Sequence, residues 1–209
     1  MDTSFPLLFA AVVGFGHAFE ADHLVAVSNI VTKRKSLLLA VKDGIYWGLG
    51  HTSTIFLIGL IVIVGKATFL NDYFDYFEAT VGMMLIALGI FRLTQYFNKQ
   101  YQDEHPHEHQ HDHHYHHLAY GVGLVHGLAG SGAMVLLVMT SIQSSFTSMM
   151  YLLIFGLGSV VGMLVAAGIF SLTFANKVTR KHSIQQGLIV ISSVLCIGFG
   201  TYVVIENLL

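Results

Sequence analysis

Apolar runs long enough to cross a bilayer recur along most of this chain. In hydrocarbon, a run of about 20 such residues satisfies its backbone only as a helix or in a closed barrel. Runs of this length read as six spans, at about Phe5–Ile30, Gly44–Val64, Phe77–Tyr96, Leu118–Ile142, Met149–Phe174 and Gly187–Ile205. Only 11% of residues are charged and the mean hydropathy is +0.67, so the expected class is an all-α polytopic membrane protein. The charges that remain set an orientation. Lys33, Arg34, Lys35 and Lys42 flank the first connection, Arg92 and Lys99 the third, and Lys177, Arg180 and Lys181 the fifth. Lys66 alone falls on the other side. Basic residues mark the cytoplasmic side, which puts the odd-numbered connections inside and both termini outside. Asp2 stands where a cleavable signal would carry basic residues, and the first apolar run continues without a cleavage-like boundary. The single Cys196 excludes a disulfide framework within the chain.

The two halves repeat. Val13–His17 (VGFGH) matches Val122–His126 (VGLVH), Gly48–Gly50 matches Gly156–Gly158, and Leu88–Phe91 resembles Ile197–Gly200. The offsets are 109, 108 and 109 residues. Three spans are an odd number, so the second repeat enters the membrane from the opposite side. That is the inverted-repeat plan of many secondary transporters, whose sites lie near the midplane where interrupted helices meet. The division is residues 1–100, a first three-helix repeat; 101–117, a His-rich cytoplasmic loop; and 118–209, a second three-helix repeat.

Within the first span, His17, Glu20, Asp22 and His23 place four ionisable side chains in seven positions. Such groups at membrane depth cost several kcal/mol by order of magnitude and by default line a polar path. At about 100° per residue, His17, Asp22 and His23 point in three directions on an ideal helix. They converge on one ion only where the helix is broken or neighbours contribute, and Gly14 and Gly16 offer a place to break it. His51, amid Thr52, Ser53 and Thr54, and His126, in a glycine-rich segment, each admit two readings, as ligand or as structural hydrogen bonder. Glu20 admits three: ligand, partner orienting a ring nitrogen, or packing contact.

Imidazoles with one or two carboxylates suit borderline divalent cations such as Ni²⁺, Co²⁺ and Zn²⁺, whereas Mg²⁺ and Ca²⁺ prefer oxygen. No Cys lies near the motifs, and Met134, Met139, Met149, Met150 and Met163 admit Cu(I) but read more simply as packing. Protons compete for each imidazole, so binding weakens as pH falls through about 6.5. Between the halves, residues 105–117 hold eight histidines interleaved with Glu, Asp, Gln and Pro, a multidentate metal-binding tract with no fold of its own. No prosthetic group and no nucleic acid are expected; the partners are the lipid bilayer and transition-metal ions.

His17, Asp22 and His23, followed one span later by Leu49–Thr54 (LGHTST), resemble the first two signatures of the nickel/cobalt transporter (NiCoT/NicO) superfamily. The stretch Gly123–Gly132 is similar to its shorter urease-accessory-type permeases. The resemblance implies secondary transport of Ni²⁺ or Co²⁺ across the cell (inner) membrane, with the motif His and Asp residues in metal selection and passage. It also implies cytoplasmic partners: a metallochaperone, or urease or hydrogenase maturation proteins. In one respect the chain departs from the pattern. Larger members carry acidic signatures in later helices, and Phe155–Met163 (FGLGSVVGM) has no carboxylate. Two rival readings are an anion (sulfite-type) exporter and an intramembrane zinc hydrolase. The first calls for Arg or Lys deep in a span. The second calls for three His ligands and a carboxylate base, though no His-Glu-x-x-His is present.

Overall fold

The computed structural model describes residues 4–31, 36–65, 73–102, 112–128, 144–175 and 182–209. They form seven helices: α1 (Ser4–His17), α2 (Ala21–Val31), α3 (Leu37–Gly65), α4 (Phe74–Gln102), α5 (Asp112–His126), α6 (Ser145–Ala175) and α7 (His182–Leu208). Four of these, α3, α4, α6 and α7, are long and apolar enough to cross a membrane. Helices α1 and α2 qualify together as one broken span, bent by 55°. The fourth expected span is represented by α5 only as far as His126, and its remainder over 129–142 lies outside the described residues.

The break in the first span falls at residues 18–20 rather than at the glycines expected to supply it. Phe19 N–H donates to the Gly16 carbonyl at 2.9 Å and Glu20 N–H to that of His17 at 3.1 Å. These three-residue bonds tighten and end the helix. Leu24 N–H then bonds the Glu20 carbonyl at 2.9 Å and α2 begins. Gly14 serves a different purpose: a Cβ there would run into the Phe155 backbone carbonyl of α6, so its missing side chain permits close helix approach.

Close approach of this kind organises the bundle. Helix α6 packs along α1 and α3, α5 packs on the other side of α3, and α4 pairs with α7. Gly158 abuts the Ala11 carbonyl on α1, Gly50 that of Tyr120 on α5, and Gly123 that of Trp47 on α3. Gly82 and Gly200 face each other where α4 crosses α7. Hydroxyls tie the same seams, Thr52 to the Gly156 carbonyl at 3.0 Å, Thr54 to Leu124 at 2.8 Å and Ser159 to Gly14 at 3.1 Å. Short α2 touches α3, α4, α6 and α7, which puts the residues following the break at the centre.

The distribution of side chains is the reverse of a water-soluble core. Leu57, Leu157, Leu172, Ile191 and Leu195 project outward and exposed, whereas His17, His23, His51, His126, Asp43 and Arg92 are buried. A belt of exposed apolar residues around buried ionisable ones is the pattern lipid selects. Arg92, counted from the sequence among the charges beside a connection, is instead buried within α4. It shares a small cavity with Asn29, Asp43 and Gln95, whose polar groups make that position tenable.

The His-rich stretch over 101–117 is also more ordered at its ends than expected. Helix α4 runs through Gln102 and α5 starts at Asp112, so its last histidines are helical. His116 is held there: its Nδ1 lies 2.8 Å from Asp43 Oδ1, and its ring stacks on Tyr46 with centroids 5.1 Å apart. Residues 103–111 lie outside the described residues.

Candidate metal centre

The turn after His17 bends the chain by 55° and brings the first residues of α2 against the last ring of α1. The centroids of His17 and His23 come within 4.5 Å, an approach an unbroken helix does not allow. His51, one turn beyond Trp47 on α3, joins both at 5.2 Å, and His126, closing α5, lies 4.3 Å from His23. Two sets of ligand atoms result. His17, His23 and His51 form one, Asp22, His23 and His126 the other, and within each set the atoms lie within 4.8 Å of one another.

Carboxylates fix how the rings are presented. Asp22 Oδ1 lies 2.9 Å from His23 Nδ1 and also accepts the His23 backbone N–H at 2.8 Å, while its Oδ2 lies 3.2 Å from His126 Nε2. Asp22 stands in the first turn of α2, where the helix dipole favours negative charge. Glu20 Oε1 lies 2.9 Å from His17 Nδ1 with its side chain 58% exposed, and it belongs to neither ligand set. A carboxylate accepts, hence the nitrogen facing it carries the proton and the opposite nitrogen keeps its lone pair. His17 Nε2, His23 Nε2, His126 Nδ1 and both nitrogens of His51 find no hydrogen-bond partner among the described residues, although all are buried. Leaving one such atom unsatisfied costs about 1–3 kcal/mol. Several gathered in one place, with three rings held by carboxylates, make the donor arrangement that a metal ion satisfies.

Aromatic residues close the cluster at two ends. Phe155 of α6 sits 5.5 Å from His17, and Trp47 of α3 sits 5.6 Å from both His23 and His126. Both are fully buried and belong to separate apolar clusters. Neither residue stood out in the sequence, nor did Asp43. The available signals were that Trp47 precedes His51 by one helical turn, that Phe155 follows Trp47 by 108 residues, and that Asp43 is a carboxylate within an apolar run. Cys196 is buried elsewhere, against Asn29. Met163 lies in the apolar cluster that holds Trp47 and Met149 against the one that holds Phe155, while Met134 and Met139 lie outside the described residues.

The chain is 34% identical over 204 residues to the urease accessory protein UreH of Bacillus sp. (strain TB-90), covering 94% of this chain and 89% of that one. It is 32% identical over 98 residues to the nickel transporter NixA of Staphylococcus aureus, covering 41% of this chain and 28% of that protein. With the high-affinity nickel transport protein of Cupriavidus necator the identity is 31% over 90 residues, 41% of this chain and 25% of that protein. No family model matches the chain, and no solved structure matches it.

Proposed function

The chain belongs to the nickel/cobalt transporter (NiCoT/NicO) superfamily, and on that premise we propose that it carries Ni²⁺, or Co²⁺, across the cell membrane through the His/Asp cluster. The observation that carries this reading is the set of buried, unpartnered imidazole nitrogens of His17, His23 and His51. Neutral imidazoles suit Ni²⁺, Co²⁺ and Zn²⁺ and discriminate against the abundant hard cations. Asp22 offsets part of the ion's charge where water is scarce. Membership of a family of permeases sets the hydrolase reading aside. An anion route fares no better, because the buried Arg92 shares its cavity with Asp43 and stands apart from the cluster. Purified protein in liposomes is expected to take up Ni²⁺ with saturation, unaffected by excess Mg²⁺. Failure to move Ni²⁺, Co²⁺ or Zn²⁺ in either direction contradicts the proposal.

For the architecture we propose six spans arranged as two inverted repeats. The glycine contacts support it: Gly14 against Phe155 corresponds to Gly123 against Trp47, and Gly158 against Ala11 to Gly50 against Tyr120. Corresponding residues are 108 or 109 apart, so exchanging the halves carries each contact onto its counterpart. Trp47 and Phe155 then flank the site from opposite sides of the membrane. This arrangement places both termini outside and the His-rich tract in the cytoplasm, where it gathers metal for, or from, a maturation partner. A single cysteine at residue 110, in a Cys196→Ser background, is expected to react with an impermeant thiol reagent only in inside-out vesicles. Reaction in intact cells overturns the orientation.

A further inference from the structure

The two coordination sets share one ring. His23 belongs both to the set with His17 and His51 and to the set with Asp22 and His126. A neutral imidazole has a single nitrogen lone pair. In the structure His23 Nδ1 faces Asp22 and His23 Nε2 is unpartnered, so Nε2 holds the lone pair. The two sets therefore exclude each other at His23.

Their positions differ along the bundle. His17 sits against Phe155 at one end of the cluster, His126 against Trp47 at the other, and His23 lies within 4.5 Å of His17 and 4.3 Å of His126. We propose that the cluster is two metal stations rather than one, His17–His23–His51 and Asp22–His23–His126, and that a single ion passes between them while the shared His23 stays bound. The shift replaces an all-imidazole set by one containing a carboxylate, so the ion never loses all its protein ligands. One shared ligand also limits the cluster to one ion at a time. That matters in a site with a single carboxylate, where two divalent charges lack compensation.

The inference rests on the metal-site reading above, and the test separates the two. The full chain, with tract residues His105, His107, His109, His111, His113 and His114 replaced by Gln, is titrated with Co²⁺ in detergent. The visible absorption of the bound ion is followed, and Co²⁺ flux is measured in liposomes. One ion is expected to bind. His51→Ala, which cuts only the first station, and His126→Ala, which cuts only the second, are each expected to keep one Co²⁺ within about tenfold of the parent affinity. Each should also alter the spectrum differently and lose flux by about 100-fold. The double variant and His23→Ala are expected to lose binding. Where an alanine variant elutes as misfolded, the Asn variant at the same position, closer in shape, is scored instead. Two ions bound together, or loss of binding in His51→Ala as complete as in His23→Ala, overturns the two-station proposal while leaving a metal site. Parental binding by His23→Ala overturns the metal-site reading itself.

Discussion

Asp22→Asn is expected to reduce saturable Ni²⁺ flux by about 100-fold while leaving the protein folded. The carboxylate accepts three hydrogen bonds, from the His23 backbone, His23 Nδ1 and His126 Nε2. An amide keeps one accepting oxygen and presents N–H groups in place of the other, so one of the two rings loses its acceptor and turns. The substitution also removes the one negative charge in the cluster, and a divalent ion among neutral rings then lacks compensation at depth. Asp22→Glu restores the charge at a longer reach and is expected to recover part of the flux. Val27→Ala provides the packing control, because Val27 is buried one turn past His23 in the apolar core. It is expected to cost about 1–3 kcal/mol of stability, from the cavity left by two buried carbon atoms, without changing metal affinity. Uptake assays beside thermal unfolding of each variant check the split. Parental flux from a folded Asp22→Asn protein makes the residue a structural hydrogen bonder.

The second large effect is expected at the glycines. Gly14→Ala and Gly123→Ala each drive a methyl group into the backbone of a neighbouring helix, at Phe155 and Trp47 respectively. Neither backbone yields without moving its helix, so each variant is expected to lose about 1–3 kcal/mol and to disturb the ring that helix carries. Two residues away, Gly16 and Gly121 have nothing within 4 Å of the same position. Gly16→Ala and Gly121→Ala are therefore expected to be tolerated, and to gain up to about 0.5–1 kcal/mol from a more restricted unfolded chain and better helix propensity. Thermal unfolding in detergent distinguishes the pairs. Equal effects at all four positions contradict the packing described.

Much of this was legible in the sequence for identifiable physical reasons. Apolar length and the absence of strand-like alternation mark the long helices. Ionisable groups inside an apolar run are costly enough that His17, Asp22, His23, His51 and His126 stand out without a structure. The location of the break was not legible, because Gly14 and Gly16 advertise flexibility equally. Only the α1–α6 contact reveals that one is needed for packing while the turn forms further on, at residues 18–20. Arg92 was misplaced for a related reason. A charge near a span's end reads as interfacial until Asp43, Asn29 and Gln95, brought from three helices, turn out to surround the same cavity. The partition between ligand and orienting carboxylate is a matter of which ring nitrogen faces which oxygen, and residue spacing carries no information about that. Glu20 shows it: three readings were open from spacing, and what the structure adds is a 2.9 Å contact with His17 Nδ1 made from an exposed position.

The central claim, that buried imidazoles of the broken span and its neighbours hold the transported ion, is tested most directly by X-ray absorption at the nickel edge. The sample is the Ni²⁺-loaded full chain with His105, His107, His109, His111, His113 and His114 replaced by Gln. The predicted spectrum has nitrogen donors and the outer-shell scattering of several imidazole rings, and His23→Ala abolishes that scattering. An oxygen-only shell without imidazole scattering, or a spectrum unchanged in His23→Ala, contradicts the account.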